Sequence, residues 1–172
     1  MVDNVRQTTR SRIMSRVGIR NTGPERALRR GVHQRGFRFR LHVKGLPGTP
    51  DLVFPRFQAV CFVHGCFWHR HAGCSRSTEP GTRIEFWQEK FRKNVERDQR
   101  TKRKLLDDGW RVAVVWECVL GTREIGDSVD ELCRWLQGAE QEGEIPRCGV
   151  LHTRDHGGGA LRSVKCDRAE SW

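Results

Sequence analysis

The 172-residue sequence predicts an α/β protein in which a central sheet is flanked by helices. Three observations predict it. Two short apolar runs, residues 51–54 and 57–64, are separated by Pro55-Arg56 and read as a hairpin of two strands. Residues 83–106 carry Ile84, Phe86, Trp87, Phe91, Val95, Leu105 and Leu106 under a basic outer side, the pattern of a long helix. The Val-rich run 111–118 reads as a central strand, and a helix over about 128–137 closes the fold.

The chain begins with an Arg-rich arm, residues 1–22, with a short helical option over 9–17 that includes Met14. Free in solution such an arm is expected to be disordered; on DNA it folds into a groove. Thr22-Gly23-Pro24-Glu25 opens a helix. Thr22 is its cap, Pro24 suits the first turn, and Glu25 favours the positive end of the helix dipole. This helix is expected to end near Gln34, before Gly36. Residues 37–42 alternate apolar and basic and read as a strand; residues 45–50 are a turn-rich loop. In the hairpin that follows, Asp51 begins one strand and His64 ends the other. Antiparallel pairing therefore brings a carboxylate and an imidazole to one end of the sheet. Residues 75–81 form a polar loop, and Asp107-Asp108-Gly109 ends the long helix. Residues 139–172 are Gly-rich, charged and without periodicity, which reads as a flexible tail. The chain thus divides into an arm (1–22), a folded domain (23–138) and a tail (139–172).

Charge narrows the partner. Thirty-two Lys and Arg against 21 Asp and Glu give a net charge of +11. That favours a polyanion, nucleic acid first and an acidic membrane surface second, over an inert basic surface. Residues 1–44 hold twelve basic residues and two acids, Asp3 and Glu25, a local net charge of +10. Residues 117–144 lean acidic and are expected to face away from the polyanion. No apolar run approaches the roughly 18 residues of a membrane helix. The charged start argues against a signal peptide, and seven Cys without one argue for a reducing cytoplasm with some Cys on a metal.

The chemistry concentrates in residues 64–74, which hold three His, two Cys, Phe67 and Trp68. Cys66, His71 and Cys74 supply three ligands for a structural zinc, and Cys118 is the candidate fourth. The competing reading is that these are core or free thiols. Cys61 reads as a core residue, and Cys133, Cys148 and Cys166 as bystanders. Asp51, His64 and His69, with Glu25 as a further candidate, make a plausible hydrolytic site for a phosphodiester. Asp51 would hold Mg²⁺, and His69, on the loop, is the choice for general base. Against this, His64 could serve only as a hydrogen-bonding partner and Glu25 only as a helix-end charge. Phe67 and Trp68, with Trp87 nearby, could wedge between base pairs if they are exposed. Trp110, Trp116 and Trp135 are assigned to the core.

The run Phe62-Val63-His64-Gly65-Cys66-Phe67-Trp68-His69 resembles the hallmark of the very short patch repair (Vsr) DNA mismatch endonucleases. Leu46-Pro47-Gly48-Thr49-Pro50-Asp51, Thr82-Arg83-Ile84-Glu85-Phe86-Trp87, Lys93-Asn94-Val95-Glu96-Arg97-Asp98 and Val115-Trp116-Glu117-Cys118 follow the family order. The resemblance implies a restriction-endonuclease-like core, with a mixed central sheet flanked by helices and a zinc-bound loop. It implies a monomer that nicks one strand of duplex DNA 5′ to the T of a T:G mismatch left by 5-methylcytosine deamination. It further implies a link to a cytosine-5 methyltransferase, contact with mismatch-repair proteins and a place at the nucleoid in the cytoplasm. By the same resemblance Asp51 and the backbone carbonyl of Val63 hold Mg²⁺, and His64, His69 and Glu25 complete the catalytic set. Cys66, His71, Cys74 and Cys118 hold zinc. Phe67, Trp68 and Trp87 intercalate, the Arg-rich arm with Met14 enters the minor groove, and Lys90 and Asn94 lie near the mismatched pair. Val63 stands where the family pattern has Thr, which a backbone ligand tolerates. Two alternatives remain: a zinc DNA-binding module without catalysis, and a related nuclease indifferent to mismatches.

Overall fold

The computed structural model describes residues 20–121 and 125–146. The arm with Met14, and Cys148 and Cys166 in the tail, lie outside the described residues. In chain order the elements are α1 (Gly23–Gln34), β1 (Leu52–Phe54), a 3₁₀ turn (Pro55–Phe57), β2 (Ala59–His64), α2 (Ile84–Asp107), β3 (Arg111–Trp116), α3 (Glu117–Leu120), α4 (Ile125–Gln137) and β4 (Glu142–Ile145). One mixed sheet runs β1-β2-β3-β4. β1 and β2 are antiparallel, with Leu52 opposite Cys61, and the β2–β3 and β3–β4 pairs are parallel.

The period of two along each strand sorts side chains onto two faces. Leu52, Phe54, Ala59, Cys61, Ala113 and Val115 pack on one face against Leu28 and Val32 of α1 and Val129, Leu132 and Leu136 of α4. Val53, Val60 and Val112 pack on the other face against Leu105 of α2. The same alternation puts Phe62 and His64 of β2, and Val114 and Trp116 of β3, on the α2 side. There they line a cleft beneath the helix. Cys61 is fully buried, as expected of a core residue, and Trp116 and Trp135 are also buried.

The helix signals behave as read. Thr22 caps α1, its side-chain oxygen accepting the Glu25 N–H, and Gly36 turns the chain away at φ +86°. The hairpin forms with Pro55 opening its turn.

Three expectations change. The strand expected over residues 37–42 shrinks to a single bridge, Arg40 to Val53, because His42 takes φ +45° and turns the chain off the sheet edge. The strand expected over 111–118 ends at Trp116, and Glu117–Leu120 form a short helix, so Cys118 sits on a helical turn. The segment from 139, expected to be part of a structureless tail, carries β4 over Glu142–Ile145. An edge strand needs only one buried side chain, here Ile145. Its Glu-Gly-Glu composition, unfavourable for strands in general, hid it.

Candidate active site and metal centre

Asp51 precedes β1 and His64 ends β2, so the hairpin delivers both to the same end of the sheet. The Val63 N–H donates to Asp51 Oδ2 at 2.8 Å. Burial pushes the Asp51 carboxyl up to about 6, with the Val63 N–H opposing and the Glu25 charge adding to the rise. The His64 ring stacks on His69, centroids 3.9 Å apart and planes at 10°. Burial, reinforced by the neighbouring His69, lowers His64 to about 3.

His69 is held from the opposite side. Its Nδ1 lies 2.5 Å from Oδ2 of Asp98, in the middle of α2. Burial alone would raise the Asp98 carboxyl, but the hydrogen bond and charge of His69 hold it below the usual carboxylate range. One helical turn earlier, Asn94 Nδ2 donates to the Trp68 carbonyl at 3.0 Å. Two side chains of α2, four residues apart and so on one face, therefore fix the loop and the imidazole together. Asp51, His64, His69 and Asp98 border an open cleft of about 670 Å³, which Glu25, Arg20 and Glu144 also reach.

Glu25 is buried and firmly partnered. It accepts from the Asn21 N–H at 2.8 Å, the Thr22 hydroxyl at 3.0 Å and Arg29 at 2.7 Å. It is both the expected helix-end charge and a wall of the cleft.

The second cluster is Cys66, His71, Cys74 and Cys118, whose ligand atoms all lie within 4.8 Å of one another, a group that could hold a metal ion. Turn hydrogen bonds build it: the His71 N–H donates to the Cys66 carbonyl at 3.0 Å and the Cys74 N–H to the His71 carbonyl at 3.3 Å. Gly73, at φ +69°, supplies the left-handed residue that this tight return requires. Glu117 Oε1 accepts the Cys66 N–H at 3.0 Å, joining the loop to the end of β3. Hydrogen bonding with the Cys66 thiol lowers Cys118 below, and holds Cys66 above, the ordinary cysteine range.

The aromatic side chains form a third group. Phe67 sits edge-on to Trp68, Trp87 and Phe91, with centroids 5.1–5.5 Å apart. Phe67, Trp68 and Trp87 are each half-buried against one another at the start of α2. Lys90 is exposed on that helix, whereas Asn94 is occupied by the Trp68 carbonyl.

Sequence reasoning gave Asp98 no role. It lies among Arg97, Gln99 and Arg100 on a charged helix, where an acid reads as part of a solvated face. The usable signal was its spacing of four from Asn94.

A mixed α/β sheet with carboxylates and stacked imidazoles gathered at one end, beside a Cys₃His cluster, defines an enzyme of the nuclease class. Comparison with known proteins agrees. The family model described as DNA mismatch endonuclease Vsr matches residues 2–76. The type II nicking enzyme V.XorIIP of Xanthomonas oryzae pv. oryzae is 50% identical over 120 residues, which span 70% of this chain and 88% of that protein. The DNA mismatch endonuclease Vsr of Escherichia coli K12 is 40% identical over 153 residues, 87% of this chain and 97% of that protein. The type II nicking enzyme V.NmeAIP of Neisseria meningitidis is 38% identical over 140 residues, 81% and 99% of the two chains. The chain belongs to the Vsr family of DNA mismatch endonucleases and has its restriction-endonuclease-like fold. Among the described residues, no helix is long and apolar enough to cross a membrane.

Proposed function

We propose that this endonuclease nicks one strand of duplex DNA 5′ to the T of a T:G mismatch, the product of 5-methylcytosine deamination. On this reading it works as a monomer at the nucleoid, in a cell that also holds a cytosine-5 methyltransferase, and hands the nick to mismatch-repair proteins. The observation that carries the reading is the convergence of Asp51, His64, His69 and Asp98 at one end of the sheet, bordering one open cleft. The relatives, a mismatch endonuclease and nicking enzymes by name, support scission of a single strand at a mispair.

The chain's own groups divide the work. His69 donates through Nδ1 to Asp98, which leaves Nε2 with its lone pair free to take a proton from an attacking water. His64, stacked on His69, limits the ring's rotation. Asp51 and the Val63 carbonyl are the groups that would hold Mg²⁺. A single desolvated carboxylate with few protein ligands fits an ion that keeps most of its waters. Bound there, Mg²⁺ supplies charge stabilisation at the phosphoryl group and its leaving oxygen. Glu25 would complete the acidic wall facing it.

Cys66, His71, Cys74 and Cys118 would hold a structural zinc. Bonds of about 2.3 Å to sulfur and about 2.05 Å to nitrogen at the tetrahedral angle leave those atoms roughly 3.5 Å apart. His71 Nδ1 lies 3.6 Å from Cys66 Sγ and 3.5 Å from Cys118 Sγ, so the donor set fits. The metal would brace the loop that carries His69 and the Phe67-Trp68 wedge, with Trp87, Lys90 and the arm around Met14 completing the DNA contact.

The test is Asp51→Ala assayed on mismatched duplex. Nicking should be abolished with DNA binding retained. Undiminished nicking would remove Asp51 from the site. A wild-type protein that binds tightly but never nicks would leave the zinc DNA-binding module as the better account.

A further inference from the structure

Trp116, which the sequence assigns to the core, makes contacts that core packing does not explain. It is the last residue of β3 and pairs in register with His64 across the parallel strands. Its indole is buried, yet it touches both functional clusters. The ring stacks on His71, centroids 4.2 Å apart and planes at 6°. It also meets the His64 ring edge to face, at 5.5 Å and 71°. Its Nε1–H donates to Glu144 Oε1 at 2.8 Å. Glu144 belongs to β4, opposite Val114, and so lies diagonally across from Trp116 on the same face of the sheet. Core packing alone would not require an indole here. A partly buried hydrogen bond from its one polar atom fixes the plane of the ring.

We propose that Trp116, clamped by Glu144, is a positioning residue that holds the metal-centre histidine His71 and the active-site histidine His64 in fixed relation. The next two residues reinforce the link: Glu117 binds the Cys66 N–H, and Cys118 contributes its sulfur to the cluster. The end of β3 is therefore one rigid bridge between the two centres. Its orientation is set from a strand that looked like tail. Small errors in the placement of a reacting group are costly, so a clamp on ring orientation acts on turnover rather than on binding. The inference rests on the proposed catalytic role of His64 and His69 and on the metal-binding role of His71.

Glu144→Gln keeps an acceptor for the indole N–H, Glu144→Ala removes it, and Trp116→Phe keeps a stacked ring without the N–H. Three quantities are read in each: kcat and KM for nicking, the rate of metal release to a chelator, and the NMR signal of the His64 ring, assigned through His64→Gln. Glu144→Ala and Trp116→Phe should each lower kcat by roughly tenfold, the factor one hydrogen bond is worth, with KM unchanged. Both should hasten metal release and move the His64 signal. Glu144→Gln should leave metal release and the His64 signal at wild-type values, and Glu144→Ala combined with Trp116→Phe should be no worse in either than Trp116→Phe alone. The proposal is overturned if Glu144→Ala matches wild type, if only one of the two centres responds, or if Glu144→Gln is as damaged as Glu144→Ala. Should the wild-type protein nick no substrate, the catalytic reading fails on its own. Metal release and the His64 signal still decide whether the clamp exists.

Discussion

His69 and Asp98, 29 residues apart in sequence, meet through Nδ1 and Oδ2 at 2.5 Å. The contact spans the cleft from the loop after β2 to the middle of α2, so it joins the loop of the Cys-His cluster to the helix. It also decides chemistry, because an imidazole whose Nδ1–H is committed to a carboxylate presents a basic Nε2.

From this pair follows the first prediction. Asp98→Asn keeps the shape but can bond the imidazole in the wrong tautomer. Single-turnover nicking should fall by about 10²–10⁴-fold, the range associated with a lost or mis-set general base. DNA affinity, measured by gel shift without Mg²⁺, should stay within about twofold of wild type, since the exposed basic surface is untouched. A fall in affinity with unchanged turnover would place Asp98 in binding instead.

Asp51 yields a pH prediction. Burial raises its carboxyl to about 6, above the ordinary unfolded value of 3.8. Between those values the folded protein holds the proton and the unfolded chain does not. Stability therefore falls as pH rises from about 4 through about 6, and stays low above it. The shift corresponds to at most roughly 3 kcal/mol. In buffer without Mg²⁺ at pH 8, Asp51→Asn should thus be more stable than wild type by about 1–3 kcal/mol while being inactive. The advantage should shrink as pH drops through 6. Urea melts at pH 5 and pH 8 check it, and an Asn variant no more stable at pH 8 would contradict the buried-carboxylate account.

The hairpin was legible because two apolar runs flank a proline, and pairing geometry alone then brings Asp51 to His64. The Cys-His cluster was legible for three of its members because Cys66, His71 and Cys74 share one short loop. Cys118 was reachable from its place at the end of the predicted central strand and from the family resemblance, but nothing in Val115-Trp116-Glu117-Cys118 marks where a strand becomes a helical turn. β4 was hidden because Glu142-Gly143-Glu144-Ile145 offers one apolar residue, and its partners, Lys102 for Glu142 and Trp116 for Glu144, come from distant parts of the chain. Asp98 was hidden for the same reason: its meaning lies in what it faces.

The cluster makes a prediction about metal. Purified protein should carry about one zinc per chain. Cys66→Ser removes a buried thiol whose backbone also anchors Glu117. A loss of about 4 kcal/mol, well within what a structural zinc contributes, lowers Tm by roughly 8–16 °C in a protein of this size. Metal analysis and thermal melts test this together, and a metal-free protein with an unchanged Tm would return these residues to ordinary core thiols.

Gly48 tests the loop that leads into Asp51. It takes φ +71°, and a Cβ there would lie 2.4 Å from Thr101 Cγ2 on α2. Gly48→Ala should cost about 2–3 kcal/mol from the left-handed backbone and the overlap combined. Adding Thr101→Ser, which deletes the clashing methyl, should recover about 1 kcal/mol of that and no more. Full recovery would mean that the backbone conformation carries no strain.

The central claim is a metal-dependent nick directed by a mismatch, and a strand-resolved nicking assay with Mg²⁺ tests it most directly. The substrates are duplexes bearing one T:G pair in varied flanking sequence, beside matched T:A and C:G duplexes. The account predicts a single cut 5′ to the mismatched T, none in the matched duplexes and none with Asp51→Ala. Equal cutting of matched and mismatched duplexes would contradict it.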